Sequence, residues 1–270
     1  MHMGNARGGA LGDCLAAVLD AAGYDVWREF YVNDAGNQIE KFGVSLEARY
    51  LQLHLGEEAV EFPEDAYHGD DIKEHAAAFS ALYGDKYVRA SSEERRKALV
   101  DYALPLNIEK MHRDMEKYRI VYDEWFHEST LHQSGQVADT IRLLTERGLT
   151  YEKEGALWYK ASEYGGEKDE VLIRANGHPT YFAADIAYHR NKFARGFDTC
   201  IDVWGADHHG HVARMKGAMD AVGLKGDHLQ VVLIQLVRLM RDGEVVRMSK
   251  RSGKAIQLAD LLDEVPVDAA

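Results

Sequence analysis

The succession of apolar periodicities between residues 200 and 240 constrains the fold more than any other feature of the chain. Residues 200–204 form a short apolar run, residues 208–222 place Val212, Met215 and Met219 at helical spacing, and residues 229–240 return to a continuous apolar run. Runs of this type belong to strands covered on both faces. Two such strands joined by a helix need a crossover, which makes the pair parallel and the fold class α/β. Ligands of such sheets bind beyond the carboxyl ends of the strands, and here that position is held by Asp207-His208-His209-Gly210-His211.

The rest of the chain arranges itself around that unit. Leu11, Cys14, Leu15, Val18, Leu19 and Ala22 mark one buried face of a helix stopped by Gly23, followed by a strand over 24–32 and a turn at Asn33-Asp34-Ala35-Gly36. Residues 41–117 are charged and read as mainly helical; Ser91 and Glu94 match a capping box, and Pro105 is expected to interrupt that helix. A further helix spans 135–147, with Val137, Ile141 and Leu144 on one face and Gly148 as its end. Strand-like runs at 157–160 and 170–174 flank the Gly165-Gly166 turn, and Arg241-Asp242-Gly243-Glu244 signals a hairpin ahead of the basic loop 247–254.

With 32 Lys+Arg against 45 Asp+Glu the formal charge is −13, which argues against a free-standing basic nucleic-acid module, while 46% apolar residues suffice for a sizeable core. No run of about 18 apolar residues is present to span a bilayer. The first residues lack the basic stretch and apolar block of a secretory signal. Cys14 and Cys200, each within an apolar run, read as core residues and fit a reducing cytoplasm.

Three segments carry chemistry. His2-Met3-Gly4-Asn5-Ala6-Arg7-Gly8-Gly9 reads as a glycine-rich loop before a helix: glycines admit a nucleotide to the backbone, helix N–H groups face phosphate, and an imidazole and an amide can donate to its oxygens. Residues 247–254 gather Arg247, Lys250, Arg251 and Lys254, a local reversal of sign that suits a polyphosphate. Residues 207–211 hold one Asp and three His, a composition that also suits a divalent metal; a metal-dependent α/β hydrolase using Asp207, His208 and His211 is therefore an alternative.

Taken together, the first two segments resemble the paired His-x-Gly-His and Lys-Met-Ser-Lys-Ser signatures of class I aminoacyl-tRNA synthetases. HMGNARGGALGD, YVNDAGNQI, YFAADIAYHRNKFARGFD, WGADHHGHV and RMSKRSGKAIQLADLLDEV, in order from residue 2 to 265, narrow the resemblance to arginyl-tRNA synthetase of the bacterial type. The resemblance implies a Rossmann-like parallel-sheet nucleotide-binding domain with a mainly helical insertion at about 41–149. It also implies that residues 1–270 are a catalytic domain truncated at both ends. The activity implied is arginine–tRNA ligation: ATP-dependent activation of L-arginine, with Mg²⁺ on the phosphates, then transfer to the acceptor end of tRNA(Arg). The setting implied is cytoplasmic, with neither membrane nor DNA as partner.

By motif position the resemblance assigns catalysis to His2, Asn5 and Lys250, and ATP binding to these with Gly4, Gly205, Asp207, His211, Met248 and Ser249. Tyr181, Asp185 and His208 fall to the substrate arginine. Asn5 stands where a second His is commoner and can donate a hydrogen bond but not become cationic; Arg247 stands for the first Lys. Asn33, Asp34, Asn37 and Gln38 match a segment at the active-site rim, equally explained as turn chemistry, and Trp125 is given a packing role. A chain truncated in this way is expected to aminoacylate poorly on its own, and a catalytically inactive fragment is the second alternative.

Overall fold

The computed structural model describes residues 1, 3–235, 240, 241, 243–245 and 257–270. Its elements begin with α1 (Met3–Ala21), β1 (Glu29–Val32), α2 (Gly36–Leu55), α3 (Asp70–Tyr83), α4 (Ser92–Lys117) and β2 (Glu124–His127). There follow α5 (Glu128–Gln133), α6 (Gln136–Glu146), β3 (Thr150–Lys153), β4 (Ala156–Tyr159), β5 (Glu170–Ile173), α7 (Tyr181–Ala194) and β6 (Cys200–Gly205). The last are α8 (His209–Ala221), β7 (Leu229–Ile234), β8 (Met240–Arg241), β9 (Glu244–Val245) and α9 (Leu258–Glu264). Two units emerge: Met1–Asp13 with Gly23–Trp125 and Val237–Ala270, and Cys14–Ala22 with Phe126–Leu236.

In the first unit α2, α3 and α4 enclose Leu46, Tyr50, Ile72, Ala76, Phe79, Leu99 and Ala103. Ser91 caps α4, its side chain accepting from the Glu94 N–H at 3.2 Å, as the sequence pattern requires. Pro105 does not interrupt α4, which runs unbroken to Lys117. Pro105 and Asp101, whose carbonyl the proline displaces from its helical partner, lie on the exposed face, where water can solvate that oxygen, while Leu99 and Ala103 hold the opposite face. A buried charge pair fixes α4 on α2. Arg95 donates from Nε to Glu47 Oε1 at 2.9 Å and from Nη1 to the carbonyls of Tyr87, Val88 and Ala90.

Several expectations for the N-terminal segment are corrected. The residues expected to form a loop are helical from Met3 onward, and the strand expected over 24–32 shrinks to Glu29–Val32. Packing decides the first case. Ala6 is buried with Met115, Ile120, Leu258 and Leu262, and a Cβ on Gly9 would come within 3.3 Å of Met115 Cε and 3.4 Å of Ile120 Cδ1. Those contacts outweigh the roughly 1 kcal/mol that each glycine costs a helix. The expected buried face is not covered either, since Leu11, Cys14 and Val18 are exposed. Cys14 is thus not a core residue, whereas Cys200 is buried. Periodicity tells which side chains share a face but not what packs on it.

In the second unit the predicted crossover is present: β6 and β7 run parallel, in register from Cys200–Leu229 to Gly205–Ile234. The connecting α8 buries Met215 and Met219, and a Cβ at Gly217 would sit 1.8 Å from the Tyr164 carbonyl oxygen, so only hydrogen fits there. β7 stops at Ile234; residues 236–239 of the apolar run lie outside the described residues. α6 buries Val137, Ile141 and Leu144 as its spacing requires, and β3, β4 and β5 form an antiparallel meander. The chain is thus mixed α/β, with β6 and β7 as a parallel pair. The predicted hairpin is β8–β9, pairing Met240 with Val245 and Arg241 with Glu244.

Replacing Glu47 by Ala strands the buried Arg95 guanidinium without its carboxylate. Urea unfolding should show a loss of about 3 kcal/mol, and a change below about 0.5 kcal/mol would contradict the role given to this pair.

Candidate active site

The candidate site is built outward from β6. Asp202 faces inward from this strand, its side chain 9% exposed, between two side chains one turn apart on α7. Lys192 Nζ donates to Oδ1 at 2.7 Å, and His189 Nε2 lies 2.6 Å from Oδ2. Burial by itself pushes the Asp202 carboxyl up, but the charges of Lys192 and His189 and their hydrogen bonds outweigh it and hold the group well below the usual carboxylate range. The other ring nitrogen of His189, Nδ1, is 2.8 Å from the backbone carbonyl of Asp185. Both nitrogens therefore face acceptors, and the ring ties β6 to the turn of α7 that carries Asp185.

α7 starts at a capped end. Thr180 Oγ1 donates to the Val171 carbonyl at 2.7 Å and accepts from the Ala183 N–H at 3.4 Å. This places Tyr181, 64% exposed, in the first turn and Asp185 one turn later. Asp185 Oδ2 lies 3.0 Å from Nε2 of His211, a buried residue in the first turn of α8. Arg214 donates from Nε to His211 Nδ1 at 2.6 Å and from Nη1 to Glu170 Oε1 on β5 at 2.7 Å. The His211 ring is flanked by Trp204, at 5.2 Å between centroids, and by Phe182, at 5.8 Å.

At the carboxyl end of β6, Gly205 precedes the single turn Ala206–His208. A Cβ at Gly205 would fall 2.5 Å from Asp207 Oδ1. The side chains of Asp207 and His208 are 64% and 60% exposed. They share with His211, Arg214, Glu170 and Lys168 the lining of a cavity of about 200 Å³. One part of the molecule thus gathers Tyr181, Asp185, Gly205, Asp207, His208 and His211. The residues 207–211 do not converge on a metal position. His211 turns inward to Asp185 while Asp207 and His208 point to solvent, and among the described residues no group of three His, Cys, Asp or Glu side chains is arranged to hold a metal ion.

Gly4 and Asn5 belong to α1 in the other unit, where Asn5 is exposed. His2, Arg247, Met248, Ser249, Lys250, Arg251 and Lys254 lie outside the described residues. Trp125 packs as expected, stacked on His112 at 3.5 Å and near Phe30 at 4.5 Å. Beside these rings Tyr122 is pushed up to about 12, by burial first and then by Asp13. Sequence reading missed Asp202, His189, Lys192, Glu170 and Arg214. A signal for the first was available: a lone carboxylate inside the apolar run 200–204 needs a buried partner.

A family model described as tRNA synthetases class I (R), catalytic domain, matches residues 1–269. The chain belongs to the class I arginyl-tRNA synthetase catalytic-domain family. Among curated relatives, it is 66% identical over 269 residues to the arginine–tRNA ligase of Ruminiclostridium cellulolyticum, covering 99% of this chain and 48% of the relative. It is 62% identical over 271 residues to that of Acetivibrio thermocellus, covering 100% and 48%. The chain spans about half the length of the curated relatives it matches. A solved arginyl-tRNA synthetase structure from Campylobacter jejuni superposes with a TM-score of 0.88 at 38% identity, over 100% of this chain and 58% of that one. The Thermus thermophilus arginyl-tRNA synthetase, with a TM-score of 0.69 at 21% identity over 98% and 49%, is a likeness of fold.

Because the Asp202 carboxyl is held low in the folded protein, its stabilisation is complete above the unfolded value of about 4 and fades as the pH falls below it. Asp202→Asn leaves Lys192 and His189 facing no charge and should cost about 3 kcal/mol at pH 7. Unfolding measured from pH 7 to pH 2 should show the gap between wild type and variant narrowing below about pH 4; a gap independent of pH would contradict the assignment.

Proposed function

We propose that this chain carries the arginine-activating chemistry of an arginyl-tRNA synthetase. Membership of the family over residues 1–269 supports the reaction class. The observation that supports the substrate is Asp185: a partly exposed carboxylate, held by His211 beside the carboxyl end of β6, with the phenol of Tyr181 one turn earlier. A guanidinium needs a carboxylate for its charge and gains from a flat aromatic neighbour.

In this reading a carboxylate oxygen of L-arginine attacks the α-phosphorus of ATP. The bond to the β-phosphate breaks, and arginyl-adenylate and pyrophosphate result. The terminal ribose hydroxyl of tRNA(Arg) then attacks the arginyl carbonyl and AMP leaves. No covalent bond to the protein is formed, so the contribution of the chain is alignment and charge stabilisation. His2 and Asn5 donate to the triphosphate, Gly4 leaves room for the adenosine, and Lys250, with Met248 and Ser249 of its loop, neutralises the departing pyrophosphate. Gly205 and Asp207 hold the nucleoside and His208 lies toward the arginine. His211 is paired on both ring nitrogens with protein groups, which supports action through Asp185 in place of the nucleotide contact its motif position implies.

Mg²⁺ supplies charge neutralisation on the phosphates when bound. The described residues offer it no cage of carboxylates, which fits an ion that arrives on ATP and keeps its phosphate ligands. The wider reading is a Rossmann-like nucleotide-binding sheet of which β6 and β7 are part, residues 1–270 forming the catalytic domain with a mainly helical insertion at about 41–149. Among the described residues no helix is long and apolar enough to cross a membrane.

L-arginine-dependent exchange of labelled pyrophosphate into ATP, with tRNA(Arg) present, tests this reading. Asp185→Asn should lower kcat/KM for arginine about 30-fold, chiefly through KM. Lys250→Ala should lower kcat about 100-fold. Exchange that is indifferent to Asp185→Asn would remove the arginine assignment.

A further inference from the structure

We propose that Glu170, Arg214 and His211 form a chain of hydrogen bonds whose donors and acceptors are fixed by Arg214 at its centre, and that Arg214 is a positioning residue that presents the Asp185 carboxylate to the substrate guanidinium. The inference rests on the reading of Asp185 given above.

The pattern follows from donor chemistry. A guanidinium carries N–H donors and no acceptor. Arg214 Nε stands 2.6 Å from His211 Nδ1, so Nδ1 accepts and is unprotonated. The ring proton of His211 then resides on Nε2, which donates to Asp185 Oδ2 across 3.0 Å. At the outer end, Arg214 Nη1 donates to Glu170 Oε1 at 2.7 Å, so the positive charge of Arg214 is met by Glu170. Every bond in the series points toward a carboxylate, and reversing any one sets two donors or two acceptors face to face.

The consequence for Asp185 is electrostatic. A neutral imidazole orients its carboxylate through Oδ2 without neutralising it, which leaves Oδ1 and the full negative charge to a cationic ligand. An imidazolium in the same place would compete with a guanidinium for that charge and repel it. Arg214 prevents this by occupying the second ring nitrogen as a donor. The imidazole plane itself is held by Trp204 and Phe182, and Arg214 lies over the Phe182 ring with its guanidinium carbon 5.6 Å from the centroid. With the plane fixed by packing and the Nε2 proton held by Asp185, the presence of a second proton on Nδ1 is the variable left for Arg214 to set.

Long-range ¹H–¹⁵N correlation of the imidazole rings in the labelled chain at pH 7.5 tests the tautomer directly. Wild type should show His211 protonated on Nε2 alone, and a ring protonated on Nδ1, or on both nitrogens, would overturn the proposal. Arg214→Met should erase the single-tautomer signature and weaken L-arginine binding, measured by calorimetry, about 10-fold, the loss expected for a misdirected charge-assisted hydrogen bond. His211→Leu should weaken it similarly, and His211→Gln, whose amide can accept from Arg214 and donate to Asp185, should restore the greater part. Arginine affinity unchanged in Arg214→Met would overturn the proposal. Asp185→Asn run in parallel separates the two ideas. If it binds arginine like wild type, the assignment of Asp185 itself fails; if it loses affinity while Arg214→Met does not, the positioning chain alone fails. Should Arg214→Met not fold, the wild-type tautomer still decides.

Discussion

A carboxylate buried in a parallel strand demands compensation, and Asp202 receives it from a single helix. Lys192 and His189 leave α7 one turn apart and close on its two oxygens, which fixes both the rotation of α7 about its axis and its position along β6. Partners at two oxygens also give the pair a geometry that a hydrophobic contact lacks, since a slip of one residue would strand a charge. The site depends on that constraint. His189 uses its second nitrogen on the carbonyl of Asp185, so the residue read as the guanidinium acceptor sits on the same turn of helix that the buried ions hold in place.

The second helix adds direction to this rigidity. α8 starts directly after the turn that follows β6, and the side chains there divide between solvent and interior: Asp207 and His208 of the turn are exposed at the cavity, while His211 of α8 turns back to Asp185. In the proposed reading, a triphosphate on a chain of net charge −13 requires concentrated cations, and residues 247–254 supply such a cluster in the sequence. The acids of α7 and β5 beside the cavity are read as serving the opposite purpose. Asp185 is read as the counter-ion of a cationic amino acid, and the remaining charge near it, on Arg214, is met by Glu170.

Much of this was legible in the residues, and the exceptions share a cause. The crossover β6–α8–β7, the Ser91 cap, the inward face of α6 at Val137, Ile141 and Leu144, and the hairpin beside Gly243 follow from local periodicity and turn chemistry. The early start of α1 and the unbroken course of α4 through Pro105 do not, because packing of Ala6 and Gly9 on Met115 and Ile120, and of Leu99 and Ala103 in the helical core, overrides local preference. Cys14 failed as a core residue for the same reason in reverse: its neighbours repeat like a buried face, but nothing in a repeat names a cover. Residues 207–211 were recognisable as a candidate site and not as a geometry, since adjacent side chains in such a run point in different directions.

The account comes down to where a guanidinium binds. A crystal structure of this chain with a non-hydrolysable arginyl-adenylate analogue measures that directly. The guanidinium should lie against the Asp185 carboxylate beside Tyr181, with His211 still on Oδ2 and the adenosine near Gly205 and Asp207. A guanidinium resting on another acid, with Asp185 untouched, would contradict the account.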